Sequence, residues 1–586
     1  MRDGEDLRDR GEPDDEAVRR LLSRLDVVRG GVVAAGAVGI GWLLAACGGG
    51  GGETAPTPPA ASTGGAETAA AAPPPAASVP AGAGGEVEKM AWVINSEAVA
   101  MDYAFAYDFN TNVAVTNITE PLLRYSPEGE LQPNLAESWE QVDPTTLKIT
   151  LRSGVKFHDG SEMTAEDVAF SLNRHREKDI NGNGPSYLST FHERVQDVTA
   201  TGPLEVTVKM AQPDAIFLYS LGTMAGAVAS KAFIEANGKK VGTPDVGIVG
   251  TGPYKYNSWT KGQEIVLDRF DDYWNKERAL KVKQFVVKII LDEATIVQAL
   301  TAGEVDGVFG TALSGKSVQA LAGVSDVTVY RAPSYQVHYL AVNTGLPPFD
   351  DQRVRQALSM AIDKAGILQS TWGGIGQAGT KSPATPAMWT YEQDTFKAAY
   401  DALPSFDLDI EKSKALVKEA GAEGAKAEML VALPFDEEQA VAIQAAGKQI
   451  GLDLSPKKLE LTDKISREFA GKETRDYHLS VTQWGADIPD PAGNLLVPFY
   501  SKNVVTNNSA YHNKKVDKLL EAQRDTTDPA ARAKALTDAQ AIVVPDQPWI
   551  VFYSPDSVMV LNNRLGGYQI RPLTYWDPFA ADFSGK

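Results

Sequence analysis

One cysteine occurs in the whole chain, Cys47, and it closes a charge-free run, residues 30–46 (GGVVAAGAVGIGWLLAA), behind a segment bearing Arg19, Arg20, Arg24 and Arg29. A lone thiol excludes any disulfide framework within the chain and any multi-cysteine zinc or iron–sulfur site, so a hydrophobic core has to hold the fold. Charged residues, then an apolar stretch, then small residues is the order of an export signal. The competing reading is a permanent transmembrane anchor, because seventeen uncharged residues approach the lower limit for crossing a bilayer. Behind Cys47, glycines run to Gly52 and Ala, Pro, Thr and Ser follow up to Gly85, with almost no bulky apolar side chain. Burial cannot offset the ordering entropy of such a segment, which reads as a flexible tether. The folded body is thereby confined to residues 87–586.

Leu44-Ala45-Ala46-Cys47 resembles the lipobox of bacterial lipoproteins, where small residues fit a signal peptidase and the thiol takes a diacylglyceryl group. The resemblance implies a signal peptide over 1–46, lipidation at Cys47, a tether over 47–86 and a lipid-anchored position on the outer side of a cell membrane; several acyl chains are needed, since one binds only marginally. Arg19-Arg20 loosely resembles a twin-arginine export motif. The body itself is acidic. Lys and Arg number 56 against 76 Asp and Glu, a net charge of -20. Residues 1–46 carry seven arginines and nine acids, so -18 remains without them. Such a surface repels phosphate backbones, which excludes a nucleic-acid partner.

From residue 87 onward short strands and helices alternate without a fixed repeat, which defines a mixed α/β class. Leu147, Ile149 and Leu151 alternate with Lys148 and Thr150 as in a half-buried strand, and Asp159-Gly160 marks a turn. Thr164 with Asp167 three residues on predicts a capped helix whose stripe, Val168, Ala169 and Leu172, runs to about Arg176. Further helices are predicted at 293–303, 351–369, 411–421, 437–450 and 513–524, with strands at 263–269, 284–291, 327–331 and 337–343.

The stretch EPLLRYSPEGELQPNLAESWE, followed by LKITLRSGVKFHDGSEMTAEDVAFSLNR, resembles the signature region of the family 5 extracellular solute-binding proteins, the peptide and nickel receptors of ABC importers. The likeness continues through Gly250-Thr251-Gly252-Pro253-Tyr254, Arg269 to Trp274, Asn343 to Ala361 and Trp484 to Pro491. One departure is Asp102-Tyr103, where relatives often have Asp-Pro. The resemblance implies a two-lobed periplasmic-binding-protein-like fold of the three-domain peptide-receptor type (class II): domain I over 87–122, 245–335 and 548–586, domain II over 123–244, and domain III over 336–547. It further implies a monomer that closes on a small-molecule or peptide ligand and hands it to ABC permease and ATPase subunits. No cofactor and no catalysis are implied.

Several motifs compete with that reading. Gly310 to Ser317 (GTALSGKS) formally matches a phosphate-binding loop, but the helix behind it has room only for Lys316 to Leu321 before Gly323. The match is therefore expected to be accidental. Asp179 to Gly184 copies the first half of an EF-hand calcium loop, yet Thr190 stands where the bidentate Glu belongs. The six histidines, His158, His175, His192, His338, His478 and His512, form no i, i+4 pair, so no direct metal site is expected. Asp271-Asp272 and Asp350-Asp351 sit where acids cap helices or loops far more often than they catalyse.

By resemblance to di- and oligopeptide receptors, Trp484 and Asp487 match a Trp-x-x-Asp motif whose aspartate meets the ligand's α-ammonium group. A loop-capping role for Asp487 is the alternative. The arginine that meets a dipeptide's carboxylate in such receptors has no counterpart here, where Leu433-Pro434 leads into Phe435 and the acids Asp436, Glu437 and Glu438. A longer peptide or another amine-bearing solute is expected instead of a clamped dipeptide, with a sugar, an opine or a metal chelate as alternatives. Trp372, Trp389 and Tyr107 are the aromatic candidates for stacking on it, against plain packing for each. Two rivals come from other classes: a nucleotide-binding or hydrolytic surface protein resting on the Gly310 loop, and an adhesion or chaperone lipoprotein on the same fold.

Overall fold

Thr164 heads the helix Ala165–Arg174 in a computed structural model that describes residues 84–586 except 107, 181, 183, 469–474 and 504–505, with the backbone alone at 462 and 575. The cap is reciprocal: the Thr164 N–H donates to Asp167 Oδ2 at 3.0 Å and the Asp167 N–H to Thr164 Oγ1. Val168 and Leu172 on its inner face are buried over an antiparallel sheet ordered Ala136–Asp143, Thr146–Leu151, Glu205–Met210, Val195–Gly202. Arg174 at the end of the helix is itself buried and forks onto Asp102, at 2.7 and 2.6 Å. The pair Asp102-Tyr103 thus has a local use: its carboxylate neutralises Arg174, whose guanidinium also lies over the Tyr103 ring.

The larger part of the molecule is a twelve-stranded sheet. At one end, Val87–Ile94 runs parallel to both Val282–Ile289 and Gly307–Phe309, and its near-continuous apolar run is explained by burial on both faces. Trp92 packs there against Phe309, Phe579 and Phe583. A side chain at Gly307 would sit 2.3 Å from the Trp92 ring, so the close approach requires glycine. At the other end, Gln336–Val342, Leu479–Gly485, Lys426–Val431 and Asp453–Lys458 pair in that order. Helices such as Gln352–Ala361 and Pro434–Gln449 cover one face, and Lys514–Arg524 and Pro529–Asp546 cover the other.

One strand belongs to both ends. Trp549–Asn562 pairs antiparallel with Gln336–Val342 through its first half and with Val327–Pro333 through its second, and Pro555 lies between the two pairings. Beside it the chain crosses a second time, through Ser334 and Tyr335. The Ser334 hydroxyl donates to Pro555 O, and the Ser554 hydroxyl donates to Gln336 O at 2.8 Å. Two adjacent, cross-bonded strands therefore connect the ends of the sheet, a narrow joint of the kind that lets lobes rotate.

The helix expected over 351–369 is two helices, Gln352–Ala361 and Lys364–Trp372, because Asp363 leaves helical geometry and caps the second by accepting from the Gly366 N–H. The remaining predicted helices appear within a few residues of their expected ends, as Glu293–Thr301, Ile410–Glu419, Pro434–Gln449 and Lys514–Arg524. Among the described residues no helix is long and apolar enough to cross a membrane. Cys47, the tether and the apolar run before them lie outside the described residues.

Candidate functional site

The two crossings form the floor of a cleft of about 880 Å³ whose lining comes from both ends of the sheet. Ser334, Tyr335, Gln336, Pro555 and Asp556 supply the floor. One wall is Phe109, Glu293 and the loop from Phe309 to Ser314 with Lys316; the other is Trp372, Phe435, Glu438, Gln483 and Gly485 to Asp487. Its size and its mixture of apolar side chains with a few polar groups suit a solute of several residues or rings.

The walls touch on both sides of this space. Gly315 lies so close to the backbone of Trp372 that an added Cβ would meet it at 2.4 Å, and Gln319 Nε2 donates to Gly373 O at 2.8 Å. Lys316 Nζ reaches Glu438 Oε1 at 3.4 Å. Away from that edge, Arg524 forks onto Asp214 at 3.0 and 2.7 Å, and Arg194 Nη1 meets Asp525 Oδ1 at 2.7 Å.

Of the aromatic and acidic candidates named from the sequence, the structure brings Asp487 and Trp372 to the cleft. Asp487 follows the strand Leu479–Gly485, and its carbonyl accepts from the Trp576 indole N–H at 2.7 Å. Trp372 ends its helix, which Gly373 terminates in the left-handed conformation at φ 59°. Trp484 is elsewhere. Side chains alternate along a strand, and with Gln483 and Gly485 facing the cleft Trp484 faces the opposite side. There it packs near Trp549, its indole N–H donating to Gly493 O at 3.2 Å. Trp389 is likewise a packing residue, against Phe396 and Tyr400. Tyr107 lies outside the described residues.

The three acids at Asp436 to Glu438 do not act together. Asp436 is buried in the first turn of its helix, accepting from the Ala432 and Leu433 N–H groups and pairing with the buried Lys464 at 3.1 Å. Glu437 pairs with Lys458, leaving Glu438 and the neighbouring Phe435 and Pro434 to line the cleft. The phosphate-loop match is a short turn and the seven-residue helix Gly315–Leu321. The Ser314 N–H, which would face a phosphate, donates to Glu293 Oε1 at 2.6 Å. The reading from sequence missed that this loop and Glu293 form a wall of the cleft; the only signal was a run of small residues after the short strand Gly307–Phe309.

Several residues of the metal motifs have other partners. Asp179 Oδ1 accepts from Gly184 N–H at 2.6 Å within its own loop, while Asn181 and Asn183 lie outside the described residues. His175 and His192, seventeen positions apart in sequence, do stack, with ring centroids 4.8 Å apart. Burial depresses both, His192 to about 4, so they pack as neutral rings. Among the described residues no group of three or more His, Cys, Asp or Glu could hold a metal ion.

A two-lobed body, two crossing strands and a cleft between the lobes form an architecture built to enclose a solute. Residues 130–549 match the family model for bacterial extracellular solute-binding proteins, family 5, and the chain belongs to that family. It is similar to "Heme-binding protein A" of Haemophilus influenzae, 29% identical over 78% of this chain and 85% of that protein. It is also similar to "Probable D,D-dipeptide-binding periplasmic protein DdpA" of Escherichia coli, 28% identical over 81% of this chain and 90% of that protein. Among solved structures it resembles the ABC transporter-associated periplasmic binding protein DppA of Helicobacter pylori in complex with the peptide STSA, with a TM-score of 0.72, 25% identity and coverage of 86% and 99%. The chain is thus a binding receptor of the ABC-importer type and not an enzyme.

Proposed function

We propose that this protein is a lipid-anchored receptor that captures a peptide or peptide-like, amine-bearing solute between its lobes and delivers it to an ABC permease. The observation that carries the reading is the cleft of about 880 Å³ floored by the two crossing strands, with Asp487 on one wall. A carboxylate there suits an ammonium group: both are desolvated when the lobes meet, and each is the other's compensation. The relatives named above are reported as binding heme, a D,D-dipeptide and a peptide, so the family tolerates several solute classes and the lining has to decide. Glu438 and Phe435, where an arginine would meet a dipeptide carboxylate, favour a longer or amidated chain over a free dipeptide.

Lipidation at Cys47 anchors the receptor, and the glycine-rich tether lets it reach the permease. The solute is identified by native mass spectrometry of the protein purified from its own cells, with X-ray scattering before and after its removal. A peptide or amine in the complex, and an expanded particle without it, is the expected result. A sugar, or a particle whose dimensions never change, overturns the reading. Cys47→Ala abolishes lipid labelling and membrane retention if the anchor is as proposed.

A further inference from the structure

The wall opposite Asp487 is the segment that imitates a phosphate-binding loop, and it is wired to do the reverse. In a phosphate loop, backbone N–H groups receive an anion from solution. Here the protein supplies the anion: Glu293, in the first turn of the helix Glu293–Thr301, accepts from the Ser314 N–H at 2.6 Å. Burial opposes its ionisation, yet hydrogen bonds from Ser317 and Ser314 hold its carboxyl below the usual range, so it is charged at neutral pH. Glu293 lines the cleft. Four acids line that space, Glu293, Glu438, Asp487 and Asp556, and Lys316 is the single cation among the described lining residues. Lys316 is engaged by Glu438 at 3.4 Å, and Asp556 has its counter-ion behind it in Arg331, at 2.6 Å. The partners of the Glu293 carboxylate are the neutral Ser314 and Ser317, so its charge is not cancelled there, and a positively charged solute group suits that wall better than a carboxylate does.

We infer that Glu293 is a specificity-determining residue that selects solutes carrying positive charge toward the Phe309 to Ser314 wall, such as a lysine-like side chain or a second amine, and rejects those presenting a carboxylate there. The inference rests on the solute-receptor reading and sharpens it from amine-bearing to cationic. Glu293 needs no cation of its own, because the loop N–H stabilises it; its charge is left to act on the solute.

The test uses the full chain in detergent and tripeptides of Ala and Leu carrying either Lys or Glu at each position in turn. Lysine peptides are expected to bind at least about tenfold tighter than their glutamate counterparts, with the preference shrinking as NaCl rises from about 50 to 500 mM. Glu293→Gln keeps an acceptor for the Ser314 N–H and is expected to reduce that preference to below about threefold, with the melting temperature of the empty protein unchanged. Equal affinities, a glutamate preference, or a lysine preference that survives intact in Glu293→Gln overturns the inference; the wild-type comparison stands even if the variant folds poorly. Glutamate peptides that bind as tightly as their lysine counterparts and contract the particle in X-ray scattering would sink the charge preference and leave the receptor reading intact. Absence of binding and of contraction with every tripeptide counts against both.

Discussion

The ionic contacts on the two sides of the cleft differ in burial. Arg524 forks onto Asp214, whose side chain is 1% exposed, whereas Lys316 and Glu438 meet at 3.4 Å with 77% and 47% of their side chains exposed. An exposed pair of that kind contributes on the order of 0–1 kcal/mol, but leaving one member of a buried pair without its partner costs roughly 3–5 kcal/mol. The two edges are therefore held by different physics. The Arg524 edge is held by charge, and the Lys316 edge by the backbone packing of Gly315 on Trp372 and the bond from Gln319 to Gly373 O.

Arg524→Met is the strongest way to break the contrast. Asp214 stays in place because it caps the helix Ala215–Ser220, accepting from the Ile216 N–H at 3.1 Å, so the variant strands a carboxylate only when the lobes meet. Affinity for the lysine tripeptides is expected to fall about ten- to hundredfold, with little change in the melting temperature of the empty protein. Unchanged affinity would show that the fork contributes nothing to closure.

Acid separates the lobes from the contacts between them. His192, near the four-stranded sheet, and His338, in the strand Gln336–Val342, are buried, and burial lowers them to about 4 and about 3. The unfolded chain, titrating near 6.5, then binds more protons than the folded one below that value. The stability these rings contribute is full above about pH 6.5 and is lost as pH falls toward the folded values. At pH 5 each ring is expected to cost on the order of 2 kcal/mol, read as a lower melting temperature of the empty protein between pH 7 and 5. His338→Gln and His192→Gln should each flatten that slope; a slope unaffected by both removes the explanation.

Asp487→Asn keeps the shape of the second wall and removes its charge. If an ammonium meets it in the closed cleft, affinity falls at least tenfold, about 1.4 kcal/mol, and the empty protein melts as before. A drop in melting temperature without solute would instead assign Asp487 to capping its Pro- and Gly-rich turn. The smallest effect is expected from Lys316→Ala, under about threefold in affinity, since its partner is exposed. ATP affinity that disappears in that variant would revive the phosphate-loop reading.

Much of the local structure was legible because it is written in nearby residues. Thr164 and Asp167 specify their own helix start, and Leu147, Ile149 and Leu151 their own strand face. Residues that act across the fold were not legible. Whether Trp484 or Gln483 faces the cleft depends on the register of Leu479–Gly485 against Gln336–Val342, and a shift of one residue would exchange them. Asp436 reads as one of three acids standing together, until Lys464, 28 positions away, is seen to neutralise it in the interior. Glu293 meets the loop at Ser314 only because helix and loop are folded together, so a motif with the spelling of an anion receptor carries an anion instead.

The strand that joins the lobes also sets a timetable. Trp549–Asn562 is translated about 460 residues after Val87–Ile94, yet both ends of the large sheet lack an interior strand until it arrives. Before then, Gln336–Val342 and Val327–Pro333 present open edges of the kind that capture other chains. Neither lobe can finish early on the ribosome or during passage through a membrane, and the receptor is completed in a single late step. A nascent chain arrested before Trp549 should accordingly remain sensitive to protease in both lobes at once.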